Sequence, residues 1–162
     1  MRPLVTLAFV LFGVVQSHAA PKASEPIYSV SDYDPKRDPE IDLKKSVAMA
    51  AKDGRRILMV AGSRSCGWCR SLSREFKKDP KVAELLAKHF VIMKVNYDEA
   101  NGNLFFLQDY PDISETPHFF VLDSQGKLLR SQPNKGMEGT FGYRTKAMHK
   151  FLSAWVPKRS GK

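Results

Sequence analysis

The chain has 162 residues and a formal net charge of +9, from 26 lysines and arginines against 17 aspartates and glutamates. Its hydrophobic fraction of 43% and charged fraction of 27% exclude a disordered chain, a collagen-like repeat and a bundle of membrane helices. Because it has only two cysteines, a multi-bridge disulfide scaffold is also excluded, and we expect one globular domain with a buried apolar core.

Residues 1–19 have the pattern of an export signal. Met1 and Arg2 give a positive start, and residues 4–15 form an apolar run of 12 residues, well short of the roughly 20 that span a bilayer as a helix. The small residues Ser17 and Ala19 predict cleavage after Ala19, with Ala20 as the second choice and an uncleaved anchor as the alternative. No later segment is apolar enough for a membrane span, so we expect a periplasmic or secreted protein in a compartment that permits disulfides.

Residues 20–38 contain three prolines and many polar residues, which predicts an extended arm outside the packed domain. The domain itself is predicted over residues 39–157, followed by a basic tail at residues 158–162. Asp38 and Pro39 give a helix start, and Gly54 stops that helix. Apolar runs at residues 56–61, 90–95 and 118–122 predict buried strands.

The segments between these strands carry helical patterns. One helix is predicted to start at the cysteine pair, a second at Asp79-Pro80, and a short one around residues 104–107. Residues 123–126 form a turn into a fourth strand at 127–130, and a terminal helix ends before Pro157. The order predicts an α/β fold with a central mixed sheet: helix-separated strands pair in parallel, the hairpin adds an antiparallel edge, and helices cover both faces.

The positive charges are scattered along the chain without a repeated aromatic-basic pattern. We therefore predict no nucleic-acid-binding face, and interpret the charge as a solvated surface. Attraction to acidic partners or to an anionic membrane surface is the alternative.

Cys66 and Cys69 form a C-x-x-C pair directly after a predicted strand and at a predicted helix start. The partial positive charge and unpaired N–H groups of a helix N-terminus stabilise a thiolate there, so its pKa is expected to fall below the free value of about 8.5. Two intervening residues let the sulfurs meet across one turn in a reversible disulfide. We predict that Cys66 is the exposed nucleophile and that Cys69, on the same face as Leu72, is the buried resolving thiol. Arg64 and Arg70 flank the pair and would favour the thiolate, with side chains that simply face water as the alternative.

Three other interpretations of the pair are open. A zinc site needs about four ligands, and the histidines after the signal are far apart in sequence, at His89, His118 and His149. A purely structural disulfide is possible, although closing so short a loop stabilises a protein little. A copper carrier using both thiols with His118 is the third.

Two sequence motifs together resemble the thioredoxin superfamily over about residues 40–157. They are Cys66-Gly67-Trp68-Cys69 after the strand RILMVA, and Thr116-Pro117 before the strand HFFVL. The chain is most similar to small exported thioredoxin-like proteins with a CGWC or similar active site, such as the periplasmic and anterior-gradient groups. The resemblance implies that Pro117 is cis and faces the cysteines, and that the Thr116 backbone pairs with a substrate chain. Trp68 would lie on the exposed rim between the thiols, with ordinary packing as the alternative.

The chain departs from the thioredoxin pattern at two positions. Thioredoxins proper usually carry a buried aspartate in the strand before the motif and an aromatic residue before the first cysteine, whereas this chain has Val60 and Ser65 there. Without that carboxylate no buried base for Cys69 is evident, and one influence that raises a thiol pKa is missing. These changes favour a more oxidising or specialised role. His118 could stand near the sulfurs, but we expect it to face elsewhere.

We therefore expect an exported thiol–disulfide oxidoreductase that acts on protein thiols and disulfides through Cys66 and Cys69. The resemblance adds Trp68, Thr116 and Pro117 as substrate-binding residues. No cofactor and no metal are expected, because the cysteine pair itself holds the two electrons. A redox partner must reset the pair, and we expect a monomer. The alternative is a binding protein: a copper carrier, or a chaperone-like module whose thiols trap clients.

Overall fold

The computed structural model describes residues 24–99, 101 and 103–158, so the predicted signal at residues 1–19 and nearly all of the basic tail lie outside the described residues. Helices and strands alternate through most of this part of the chain. They are β1 (Ile27–Val30), α1 (Pro39–Asp53), β2 (Arg56–Gly62), α2 (Gly67–Lys78), α3 (Pro80–His89), β3 (Phe90–Asn96), α4 (Leu104–Leu107), β4 (His118–Leu122), β5 (Leu128–Pro133), β6 (Glu138–Gly139), β7 (Gly142–Tyr143) and α5 (Thr145–Ala154).

The central sheet is mixed, as predicted, with the strand order β1-β3-β2-β4-β5. β1 and β2 both run parallel to β3, whereas β4 is antiparallel to β2 and to β5. Helices α2, α3 and α5 contribute to the apolar cluster on one face of the sheet, and α1 and α4 contribute to the cluster on the other. The α/β fold with helices on both faces is therefore confirmed.

The prediction that all helix-separated strands pair in parallel was wrong for β4. In the register of the sheet, Ala61 of β2 is level with Val95 at the end of β3 and with His118 at the start of β4. The chain therefore leaves β3 and enters β4 at the same end of the sheet. A parallel pairing needs a connection that returns along the whole sheet. The connection here holds a helix of four residues, α4, and does not make that return.

The prediction of an unpacked arm over residues 20–38 was also wrong for part of that segment. Ile27–Val30 form β1, which pairs in parallel with β3 at the edge of the sheet, and Tyr33 is only 4% exposed. Pro26 and Pro35 lie outside the strand, where they remove no hydrogen bond from the ladder. Proline content alone therefore gave a misleading picture of this segment.

The predicted helix starts are present with their expected caps. The Asp38 carboxylate accepts hydrogen bonds from the backbone N–H groups of Glu40 and Ile41 at the start of α1, and Gly54 ends that helix with a left-handed φ of 65°. Asp79 caps α3 in the same way. No helix in the described part of the chain is both long and apolar enough to cross a membrane.

Candidate active site

The two cysteines form a disulfide at the N-terminus of α2. Cys66 is the N-cap residue with extended backbone, and its sulfur accepts a hydrogen bond from the Cys69 N–H at 3.0 Å. Gly67 and Trp68 form the first turn of the helix between them. The pair therefore lies where the helix presents its unpaired N–H groups and its partial positive charge.

The two sulfur-bearing residues differ in exposure. Cys66 is partly exposed, whereas Cys69 is 1% exposed and packs in the same apolar cluster as Leu72 and Phe76. A reagent from solvent reaches the sulfur of Cys66 first, and Cys69 is accessible mainly from Cys66 itself. This is the asymmetry expected from the sequence; the roles of nucleophile and resolving thiol stay predictions.

The loop before β4 lies beside the disulfide, next to Cys66. The Thr116–Pro117 peptide bond is cis, as the resemblance implies. The carbonyl oxygen of Thr116 lies 3.7 Å from Cys66 Sγ, and the Thr116 hydroxyl donates toward the same sulfur at 3.6 Å. Residues 50 apart in the chain thus meet at the exposed sulfur. The pairing of the Thr116 backbone with a substrate chain stays a prediction.

Trp68 is both exposed and packed. It is 39% exposed, and the edge of its ring meets Tyr143 with a centroid distance of 5.7 Å. The Tyr143 hydroxyl also donates to the Trp68 carbonyl oxygen at 3.5 Å. Tyr143 belongs to the small antiparallel pair β6–β7, which the sequence reading missed. Glycines at 139 and 142 are a signal for a tight hairpin there.

His118 points away from the cysteines, as expected. Its ring packs on Phe120 at 4.8 Å, and Nε2 lies 2.8 Å from the Ser131 hydroxyl. Alternation along β4 places Phe120 in the cluster opposite the one that holds Cys69. Burial lowers the pKa of the imidazole below its ordinary value. The structure therefore does not bring His118 together with the two cysteines as copper ligands. No group of three or more metal-ligating side chains occurs in the part of the chain that the structure describes.

Two arginines flank the cysteine pair, as the sequence indicated. Arg70 donates to the carbonyl oxygens of Arg64 and Ser65, which holds its guanidinium against the loop just before Cys66. Arg64 pairs with Asp32, and this contact lowers the pKa of the Asp32 carboxyl. The Arg64 charge is therefore shared with a carboxylate, and Arg70 adds positive charge beside the helix start.

The buried side of the disulfide contains residues that sequence reasoning missed. A Cβ added at Gly62 would lie 2.6 Å from Cys69 Sγ and 3.1 Å from Tyr33 Cζ, so the sulfur and the phenol border one small space. The Lys94 ammonium lies 5.0 Å from the centroid of the same phenol ring and 2.9 Å from the Ser73 hydroxyl. A lysine inside the apolar run of β3 was the available signal for this group.

Comparisons with known proteins place this geometry in a family. Residues 38–124 match the family model described as thioredoxin-like. A disulphide isomerase from Xylella fastidiosa Temecula1 is 25% identical, with a TM-score of 0.65 over 75% of this chain and 94% of that one. DsbH oxidoreductase is 16% identical, with a TM-score of 0.57 over 88% of this chain and 94% of that one.

The C-terminal domain of Neisseria meningitidis DsbD, in its reduced form, is 15% identical with a TM-score of 0.52, over 72% of this chain and 96% of that one. No curated protein sequence gave a match. The matched segment includes α1, β2, the cysteine pair with α2, and the cis-proline loop with β4. The chain therefore belongs to the thioredoxin-like family.

Proposed function

We propose that this protein is a thiol–disulfide oxidoreductase of an exported compartment, with protein thiols and disulfides as its substrates. The observation that carries the proposal is the Cys66–Cys69 disulfide at a helix N-terminus, with one sulfur partly exposed beside the cis Thr116–Pro117 bond and the other buried. The 25% identical Xylella protein, described as a disulphide isomerase, supports the same chemistry. The direction of net electron flow depends on the partner that resets the pair.

The reaction proceeds by two exchanges at sulfur. In the reducing direction, the Cys66 thiolate attacks a client disulfide: a Cys66–client bond forms, and the other client sulfur leaves as a thiolate that takes up a proton. The Cys69 thiolate then attacks the Cys66 sulfur, which forms the Cys66–Cys69 bond and releases the second client thiolate. Two electrons pass to the client, and the oxidising direction is the reverse.

The surroundings of Cys66 suit a client chain that lies across the site. The Thr116 backbone lies beside the reacting sulfur and would pair with the client backbone. The exposed Trp68 ring would cover the apolar side of the client disulfide. Arg70 and the helix N-terminus would stabilise the Cys66 thiolate that leaves or attacks.

Single-cysteine variants test the proposal. Cys69→Ser should accumulate covalent client complexes on non-reducing gels after acid quenching and alkylation, since no second thiol is left to release the client. Cys66→Ser should accumulate few, because the remaining sulfur is buried. The double variant Cys66→Ser/Cys69→Ser is the matched control. Equal trapping by both single variants would contradict the assigned roles, and trapping by neither, with Cu(I) bound by the wild type, would favour the copper carrier.

A further inference from the structure

Tyr33 has a polar atom that the fold leaves without a partner. Tyr33 is 4% exposed, and its hydroxyl makes no hydrogen bond with any of the described residues. A buried hydroxyl without a hydrogen bond is costly, so proteins rarely keep one. Phenylalanine would fill the same volume without that cost.

The position of this hydroxyl suggests its purpose. A Cβ built on Gly62 would lie 3.1 Å from Tyr33 Cζ, the ring carbon that bears the hydroxyl, and 2.6 Å from Cys69 Sγ. Glycine at position 62 leaves this space open, because any larger residue would occupy it. In the structure the sulfur is bonded to Cys66 and is a poor hydrogen-bond acceptor. A free Cys69 thiolate would be a strong one, and the Tyr33 hydroxyl is an unused donor on the same side of Gly62.

Burial and three titratable neighbours keep the Tyr33 hydroxyl protonated. Burial raises the pKa of its hydroxyl, and Tyr28, Tyr143 and Asp32 raise it further, so the phenol keeps its proton and stays a donor. The Lys94 ammonium lies over the ring and is tied to Ser73, whose hydroxyl donates to the Cys69 carbonyl oxygen. Positive charge is thereby held near the residue that must become a thiolate.

We propose that the Tyr33 hydroxyl donates a hydrogen bond to the Cys69 sulfur once the disulfide opens, and so stabilises the reduced form of the pair. The proposal rests on the proposed thiol–disulfide exchange, because it concerns the resolving thiol of that reaction. Val60 packs in the same apolar cluster as Tyr33 and Cys69 and supplies no carboxylate there. Opening the disulfide needs two electrons, which two client thiols or two glutathione thiols supply as they become joined in a disulfide of their own. Cys66 and Cys69 are then left as thiols or thiolates.

The variant Tyr33→Phe tests the proposed hydrogen bond, because it removes only the hydroxyl group. The hydrogen bond exists only in the reduced form, so the variant should hold its disulfide more tightly. We expect its equilibrium with glutathione to shift about tenfold toward the disulfide, or about 30 mV toward a more reducing potential. In a Cys66→Ala background, where Cys69 is the single thiol, Tyr33→Phe should raise the Cys69 pKa by about one unit, measured by pH-dependent alkylation.

The matched control is Tyr28→Phe. Tyr28 is a partly buried tyrosine that, like Tyr33, lies beside Lys94, with its ring centroid 5.7 Å from the ammonium. None of its atoms is among the three nearest to a Cβ built on Gly62. The Tyr28→Phe variant should leave the glutathione equilibrium and the Cys69 pKa unchanged. Stability of the oxidised form in urea should not fall in Tyr33→Phe, because the unpaired hydroxyl is gone.

The outcomes separate this inference from the proposed function. An unchanged Cys69 pKa and glutathione equilibrium in Tyr33→Phe would overturn the inference, even if Cys69→Ser traps clients. The same shifts in Tyr28→Phe would overturn it too, because the effect would not be specific to the hydroxyl beside the sulfur. If Cys69→Ser traps no client, but Tyr33→Phe shifts the Cys69 pKa and the glutathione equilibrium and Tyr28→Phe does not, the hydrogen bond is supported and the proposed action on client proteins is refuted.

Discussion

Replacing Gly62 by alanine probes the closest contact behind the disulfide. The added Cβ would lie 2.6 Å from Cys69 Sγ, whereas apolar heavy atoms pack best at about 3.5–4.0 Å, so the sulfur or the backbone must move by about 1 Å. The Cζ and Cε1 atoms of the Tyr33 ring, at 3.1 and 3.2 Å, block the neighbouring direction. Crowding a packed core in this way typically costs about 1–3 kcal/mol, and we expect that loss in the free energy of unfolding of the oxidised form.

The two redox forms should respond differently to Gly62→Ala. In the oxidised form the Cys69 sulfur is held by its bond to Cys66, whereas the free thiol can rotate about its Cα–Cβ bond and relieve the contact. The oxidised form should therefore lose more stability than the reduced form. A difference of about 1.4 kcal/mol corresponds to about 30 mV, so the reduction potential should rise by about that amount.

Urea unfolding of both forms and equilibration with glutathione measure these effects. Gly67→Ala is the matched control: it lies in the first turn of α2, and the nearest atom to an added Cβ is the flexible end of Arg70 at 3.9 Å. That variant should unfold within about 0.5 kcal/mol of the wild type, as surface substitutions usually do. If Gly62→Ala has wild-type stability in both forms, the space beside Cys69 is not as tight as argued and the reasoning is refuted.

Asp79→Ala should lower the free energy of unfolding by about 1 kcal/mol, because Asp79 accepts two backbone hydrogen bonds at the start of α3. Asp79→Asn should change that free energy little, and equal losses in the two variants would contradict the capping role. Burial holds the pKa of His118 below its ordinary 6.5, so the unfolded chain takes up its proton first and stability should fall as the pH drops below 6.5. In urea titrations between about pH 7 and pH 5.5, the free energy of unfolding of His118→Gln should depend less on pH than that of the wild type. An unchanged pH dependence would show that other groups cause it. Mass spectrometry of the exported protein should show a chain that begins at Ala20 or Pro21, and an intact Met1 would contradict the export signal.

Local signals in the sequence were sufficient for most helices and for the interior strands. Asp38 and Asp79 cap helices through hydrogen bonds to backbone groups two or three residues away, and such contacts form whatever the rest of the chain does. The apolar runs of β2, β3 and β4 must be buried on both faces, which determines their place inside the sheet. The cysteine pair could be predicted from the sequence because both sulfurs lie within one helical turn, which makes their contact local.

The tertiary structure alone decided the direction of β4, the addition of β1 at the sheet edge and the β6–β7 pair beside Trp68. The first two depend on hydrogen bonds between segments far apart in the chain, and a proline-containing or polar stretch gives little local indication of which partner it will meet. The β6–β7 pair is a local hairpin, but its contact with Trp68 joins residues 75 apart. The same holds for the surroundings of Cys69. Tyr33 and Gly62 carry no local signal of this role, and Lys94 is marked only by its place in an apolar run. The packing of the segment after β1 brings Tyr33 beside Gly62 and Cys69, and Lys94 lies against the ring of Tyr33.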